Sequence, residues 1–195
     1  MNYQRNKLNS RKKKMRSPRH SEVEVTELMI PAYSNFGGKV HGGIILSLMD
    51  KAAYACASKY SGSYCVTVSV EGVQFLSPVE VGDLVTIKAM VNYVGNTSMI
   101  VGMRVESLNV RTGISRHTNS SYFTMVAKTE SGELLEVPSL RISNELELRR
   151  FCEGKMLKAL SKEKNAMLKA DFKSHTRNEL LAMLVDERCE VELML

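Results

Sequence analysis

The sequence has no tryptophan, only four cysteines and four prolines among its 195 residues, and no long apolar run. Its cysteines, at positions 56, 65, 152 and 189, lack both the Cys-x-x-Cys spacing of zinc and redox sites and the density of a secreted disulfide scaffold. The longest apolar segments are interrupted by Lys51, Glu71 or Lys88, well short of the ~18 residues that a membrane span needs. We therefore expect a cytoplasmic protein with no membrane span.

Several catalytic motifs are also missing from the sequence. It contains no Gly-x-Ser-x-Gly elbow, no Walker loop and no dinucleotide fingerprint, which argues against serine nucleophiles, kinases and redox enzymes. His20, His117 and His175 have no ligand-like spacing. The sequence thus predicts neither a metal nor a cofactor.

Acidic residues are absent from the first 20 positions, which hold eight basic residues and few large apolar side chains. Such a segment lacks the apolar face of a targeting helix. Its charge would allow contact with nucleic acid or anionic lipid, but the composition favours a solvated tail without a specific partner. We predict a disordered basic arm over residues 1–21, a globular domain over 22–140 and a helical extension over 141–195. With 44% hydrophobic and 25% charged residues, the composition is typical of a globular protein.

The globular part reads as one strand, one long helix and then four strands. Alternating apolar residues predict a short strand at Val23–Thr26, and residues 40–60 predict the helix. Four alternating segments follow near residues 66–75, 85–93, 99–105 and 115–128, the first with a bulge near Gly72. This order predicts an α+β fold with an antiparallel sheet around the helix.

A rotation of 100° per residue places the polar side chains of this helix in one narrow sector. The rest of its circumference is apolar or small, as expected for a helix that a sheet encloses. Any chemistry on the helix is therefore confined to one stripe, formed by Gly43, Ser47, Asp50, Lys51 and Tyr54.

Asp50 is the leading catalytic candidate. An ionised carboxylate midway along a buried helix costs free energy of folding unless it is hydrogen-bonded, so its presence there points to a function. The alternative is a carboxylate paired with Lys51 or an arginine. At the helix start, the Gly42-Gly43 pair would expose N–H groups and the positive dipole end to a carbonyl that becomes an oxyanion, although tight packing explains the glycines equally well.

His41 and Asn35 precede the helix. His41 lies on the face opposite Asp50, which favours a structural or capping role over a base. Asn35 is able to hold a water or a carbonyl through its amide, but a loop asparagine commonly forms an Asx turn. Beyond Pro138 the composition favours helices, with Ser143 or Asn144 as the cap and a second short helix near Asn178–Glu187.

Two segments carry a family resemblance. They are the run from Asn35 through Lys39-Val-His-Gly-Gly43 to Leu-Met-Asp50, and Val70-Glu-Gly-Val-Gln-Phe-Leu-Ser-Pro-Val-Glu-Val-Gly-Asp83. The sequence resembles the hotdog-fold acyl-CoA thioesterases, within the branch of the cytosolic brain-type acyl-CoA hydrolase and its bacterial relatives. The likeness covers roughly residues 22–140, and the second segment is the more specific of the two.

The resemblance implies a five-stranded antiparallel sheet wrapped around one long helix, and hydrolysis of acyl-CoA to a fatty acid and coenzyme A. It implies Asp50 as the catalytic carboxylate, Asn35 as its partner, and His41, Gly42 and Gly43 as substrate-binding residues. It also implies homodimers, and often a trimer of dimers. Lys39, Arg104 and Arg116 are candidates for contacting the phosphates of coenzyme A.

A non-catalytic acyl-CoA sensor of the same fold is the competing function. Such regulators place a DNA-binding domain of several dozen residues before the hotdog domain, and an arm of about twenty residues is too short for one. A hotdog dehydratase would carry its essential residue in a different motif. The sequence therefore favours the thioesterase, in which Asp50 either activates water or attacks the carbonyl itself.

Overall fold

The structure is a computed structural model that describes residues 15–185 and 187–192. The chain divides into two compact units, the first ending at Leu157 and the second beginning at Lys158. The first unit contains the sheet and the central helix. Among the described residues, no helix combines the length and the apolar character needed to cross a membrane.

Five antiparallel strands form the main sheet. In chain order they are β2 (Val23–Leu28), β3 (Tyr64–Phe75), β4 (Asp83–Val94), β5 (Ser98–Asn109) and β6 (Ser115–Lys128). Their spatial order is β2-β4-β5-β6-β3, so β2 and β3 are the two edges. A separate parallel pair joins β1 (Met15–Arg16) to β7 (Ser139–Leu140). The predicted five-stranded antiparallel sheet is confirmed.

Helix α1 spans Gly42–Ser61 and contacts every strand of the main sheet. At its start, His41 caps the helix by accepting a hydrogen bond from the Gly43 N–H at its Nδ1 atom. At its end, Gly62 takes a left-handed conformation with φ 74°, a geometry that favours glycine. The Arg16 guanidinium donates to the Tyr60 carbonyl, placing a cation at the negative end of the helix dipole.

The predicted polar stripe of α1 is the part of the helix that the sheet leaves uncovered. All five stripe residues, from Gly43 to Tyr54, are exposed. The apolar face packs into the core beneath the sheet. Its fully or almost fully buried members are Ile45, Leu48, Met49, Ala52, Ala53, Cys56, Ala57 and Tyr60.

Edge strand β3 departs from the alternation expected for it. In the alternating segment near residues 66–75, Val66, Val68 and Val70 lie on one apolar face, but Val68 and Val70 are 61% and 43% exposed. The pairing with β6 shifts between Thr67 and Ser69, and again between Glu71 and Gln74. The second shift includes Gly72 at φ 53°, which confirms the predicted bulge.

The structure also differs from the expected disordered arm at residues 15–21. A short 3₁₀ helix at Pro18–Ser21 follows β1, and both Pro18 and Ser21 are buried. The Ser21 hydroxyl accepts a hydrogen bond from Val91 N–H at 2.9 Å and donates to the Pro18 carbonyl at 2.5 Å. Hydrogen bonds between polar groups thus hold residues 15–21, although the segment has few apolar residues. The rest of the predicted arm lies outside the described residues.

The C-terminal region is helical, as predicted. Helix α2 spans Glu145–Ser174 and α3 spans Arg177–Ala182. Asn144 caps α2 by accepting from Glu147 N–H at 3.0 Å. Within the first unit, Phe151 contacts the ring of Tyr93 at a centroid distance of 5.0 Å, which packs the start of α2 on β4.

Candidate active site

Asp50 lies at the middle of the exposed stripe of α1 and faces edge strand β3. Its Oδ1 accepts a hydrogen bond of 2.6 Å from the hydroxyl of Thr67. The same hydroxyl is 3.3 Å from the Met125 sulfur. No ion pair between Asp50 and Lys51 occurs among the described residues, so the alternative of a simple surface ion pair is not what the structure shows. Asp50 therefore has one oxygen oriented by Thr67 and one oxygen available.

Asn35 lies in the loop before α1, where its side chain organises a turn. Its Oδ1 accepts from the N–H groups of Gly37 at 2.9 Å and Lys39 at 3.1 Å. The turn is closed by Asn35 N–H donating to the Lys39 carbonyl at 2.6 Å. The expected Asx-type interaction is thus present, and it leaves the Nδ2 group without an acceptor in the described part of the chain. Any contact of Asn35 with a substrate must use this donor.

The N-terminus of α1 offers one free amide rather than two. The Gly43 N–H donates to His41 Nδ1 at 2.9 Å, which makes His41 a helix cap and occupies that amide. No described residue accepts a hydrogen bond from Gly42 N–H. The ring of Phe75 covers Gly42 so closely that a Cβ there would lie 3.1 Å from its Cζ atom. Gly42 thus supplies the available donor, in a position where a side chain would meet an aromatic ring.

The candidate residues form two groups on a single chain. Asp50 and Thr67 lie at the middle of α1, whereas Asn35, His41, Gly42 and Gly43 lie at or before its start. Eight residues separate Gly42 from Asp50, which is about 12 Å along the helix axis at 1.5 Å per residue. No hydrogen bond links the two groups in the described residues.

Two of the three cations considered for phosphate binding already have acidic partners. Lys39 pairs with Glu80 at 2.6 Å, and Arg104 pairs with Glu106 at 2.8 Å. Hydrogen bonds from Lys88 and Arg104 lower the pKa of the Glu106 carboxyl to about 2. Arg116 is exposed and has no ion pair among the described residues. Among those residues, no group of three or more His, Cys, Asp or Glu side chains is placed to hold a metal.

Comparisons with known proteins agree with this architecture. Residues 37–114 match the Thioesterase superfamily. Protein VdlD of Helicobacter pylori is 46% identical over 131 residues, which are 67% of this chain and 75% of that protein. A hexameric acyl-CoA thioesterase, solved in its apo form, is 34% identical with a TM-score of 0.76, covering 79% of this chain and 99% of that chain. The chain belongs to the hotdog-fold acyl-CoA thioesterases.

A ligand-bound relative resembles this thioesterase over most of its length. The acyl-CoA hydrolase of Staphylococcus aureus was solved with butyryl coenzyme A, coenzyme A and coenzyme A disulfide. It is 26% identical with a TM-score of 0.74, covering 82% of this chain and 97% of that chain.

Thr67 is the residue near Asp50 that sequence reasoning missed in this thioesterase. In the sequence, Thr67 is one polar residue of an alternating strand, and nothing marks it as different from Ser69. Its contact with Asp50 depends on how edge strand β3 lies along α1, with a register shift directly after Thr67. The available signal in the sequence was its position: Thr67 is the first polar residue of the predicted strand that follows the helix.

Proposed function

We propose that this thioesterase hydrolyses acyl-CoA thioesters at a site that two subunits build together, with water activated by Asp50. The observation that carries the proposal is the hydrogen bond from Thr67 to Asp50 on the uncovered stripe of α1. A carboxylate with one oxygen held and the other free suits a general base, which must be oriented toward the proton that it removes.

The start of α1 supplies the second requirement of thioester hydrolysis, stabilisation of the oxyanion. The free N–H of Gly42 stands at the positive end of the helix dipole, where developing negative charge on a carbonyl oxygen is favoured. We assign this role to Gly42 rather than Gly43, because the Gly43 amide is engaged by His41. His41 acts by fixing the first turn of the helix, and Asn35 by donating from its free Nδ2.

Distance argues that the two groups act across subunits. The carbon and the oxygen of one carbonyl are about one bond apart, yet the Gly42 amide and Asp50 of one chain are about 12 Å apart along the axis. A two-fold pairing of α1 helices would place Asp50 of one subunit beside Gly42 of its partner. One dimer would then contain two equivalent sites.

The edge strand next to the site supports a homodimer. An unpaired strand edge is a template for another strand, and large apolar side chains on a free surface mark an interface. Five large apolar residues at this edge are between 43% and 61% exposed: Tyr64, Val68, Val70, Phe75 and Leu76. The hexameric state of one structural relative supports a further assembly of three such dimers.

The S. aureus relative supports the choice of residues. Variants of that enzyme replace an asparagine, an aspartate and a threonine with alanine. The three replaced positions are spaced along its chain as Asn35, Asp50 and Thr67 are in this chain. Its complexes with coenzyme A species support acyl-CoA as the substrate class here.

All four cysteines are free thiols, in keeping with the predicted cytoplasmic location: Cys56, Cys65, Cys152 and Cys189.

The test is release of coenzyme A thiol from a panel of acyl-CoAs of increasing chain length. We expect the wild-type protein to hydrolyse members of the panel, and Asp50→Asn to lower kcat by ~10²- to 10⁴-fold, the usual contribution of a general base. Glu130→Gln, which changes an exposed turn carboxylate, is the matched control and should retain activity.

Two results would contradict the proposal. Binding of acyl-CoA without hydrolysis would assign the chain to the non-catalytic sensors. Asp50→Asn with wild-type turnover would remove Asp50 from the reaction. Single-turnover hydrolysis in ¹⁸O-water tests for direct attack. On the water route the label enters the fatty acid. On the anhydride route, water that attacks the aspartyl carbonyl leaves the label in Asp50, and the fatty acid departs with an unlabelled oxygen from Asp50.

A further inference from the structure

The bulge in β3 interrupts the pairing of this edge strand with β6 close to the start of α1. Pairing with β6 stops after Glu71 and resumes at Gln74. A register shift of this kind bends the strand, so contacts at its two ends help to fix the local shape. Phe75 directly follows Gln74, and its ring is the one that covers Gly42.

Two buried side chains of β6 donate hydrogen bonds to carbonyls at the two ends of the bulge. The Ser121 hydroxyl donates to the Glu71 carbonyl at 3.2 Å, on one side of the bulge. The Asn119 Nδ2 group donates to the Gln74 carbonyl at 3.1 Å, on the other side. Ser121 is 1% exposed and Asn119 is 0% exposed. The bulge is therefore held at both ends by polar groups from inside the fold.

Asn119 has an unfavourable feature that packing alone does not explain. Its Oδ1 is buried and has no hydrogen-bond partner among the described residues. An apolar side chain of similar size would fill the same space without an unpaired acceptor. The favourable contact that Asn119 provides is the one to Gln74, and Asn119 lies directly opposite Phe75 in the strand register.

We propose that Asn119 and Ser121 are positioning residues for thioester hydrolysis, acting through the β3 bulge and Phe75 on the free amide of Gly42. The inference rests on the proposed function, since it assigns the Gly42 amide to the oxyanion. Loosening the bulge moves the Phe75 ring, and small displacements of an oriented site cost far more in rate than in binding. The effect should therefore fall on kcat rather than on KM.

The test compares Ser121→Ala and Asn119→Leu with Thr118→Val. Thr118 lies on the same strand, is 0% exposed and donates to a buried carbonyl, but that carbonyl belongs to Val105 on β5 rather than to β3. The control thus loses an equivalent hydrogen bond that does not reach the bulge. For each full-length variant, kcat and KM for an acyl-CoA, the melting temperature, and deuterium uptake by peptides covering residues 71–75 are measured.

We expect Ser121→Ala and Asn119→Leu to lower kcat by about tenfold, with KM within about twofold of wild type. Deuterium uptake at residues 71–75 should rise in both variants and stay at the wild-type level in Thr118→Val. Ser121→Thr retains the hydroxyl and should restore most of the rate. If Asn119→Leu does not fold, Ser121→Ala and its threonine counterpart decide the question.

Equal kcat in Ser121→Ala and Thr118→Val, or unchanged deuterium uptake at residues 71–75, would overturn the inference. A wild-type protein that hydrolyses no acyl-CoA would overturn the proposed function instead. The exchange measurement would then still decide whether the two side chains hold the bulge.

Discussion

Thr67→Val tests how Asp50 is held, with little change in shape. Valine keeps the β-branched form but removes the hydroxyl, which donates to Asp50 Oδ1 at 2.6 Å and lies 3.3 Å from the Met125 sulfur. A hydrogen bond to a charged group contributes ~1.5–3 kcal/mol, and each 1.4 kcal/mol corresponds to about tenfold in rate. Because Asp50 is exposed in the single chain, we take the lower end and expect a loss of about tenfold in kcat.

The assay is acyl-CoA hydrolysis followed by thiol release, with kcat and KM determined for Thr67→Val and Thr67→Ser. Serine retains the donor and should stay within about threefold of wild type. Both variants should melt close to the wild-type temperature, because Thr67 is exposed and no buried volume is lost. A valine variant with wild-type kcat, or a serine variant as impaired as valine, would refute the role of this hydrogen bond.

Three further predictions concern the scaffold. His41→Ala should lower the free energy of unfolding in urea by ~1 kcal/mol through loss of the helix cap, and His41→Asn should restore it; equal stability of the two variants would contradict the capping role. Because burial raises the pKa of the Cys56 thiol to about 12, Cys56 should resist a thiol reagent at pH 8 until urea unfolds the chain, while exposed Cys152 reacts at once; rapid reaction of both would show that the core opens. Deleting residues 1–14 should leave the melting temperature and kcat unchanged, whereas a deletion that extends through residues 15–21 should lower the melting temperature; equal effects would mean that these packed residues do not stabilise the fold.

The central helix was predictable because the spacing of its polar residues indicates which side of the helix is exposed. Glycine, serine, charged and aromatic polar residues recur on one side of α1, and these are the residues that the sheet leaves exposed. A helix enclosed on its remaining sides requires a curved sheet, and the alternating segments supplied five strands. Local signals of this kind also located the α1 cap and the bulge at Gly72.

Edge strand β3 and the N-terminal segment were less predictable because their contacts are set by distant parts of the chain. Alternation alone does not show which strand lies at the edge, so it could not predict that Val68, on the apolar face of its strand, is exposed. The pairing of Thr67 with Asp50 depends on the same placement. Arg16 and Ser21 looked like parts of a solvated basic arm, but they bind backbone groups of α1 and β4.

The division of the site between two subunits is the central claim, and subunit mixing tests it most directly. Asn35→Ala and Asp50→Ala should each be nearly inactive as homodimers. When the two variants are refolded together in equal amounts, random pairing makes half of the dimers mixed, and each mixed dimer has one intact site. Activity should then recover to roughly a quarter of the wild-type value. Recovery close to zero, with subunit exchange verified by mass spectrometry, would contradict the account and return both residues to a site within one chain.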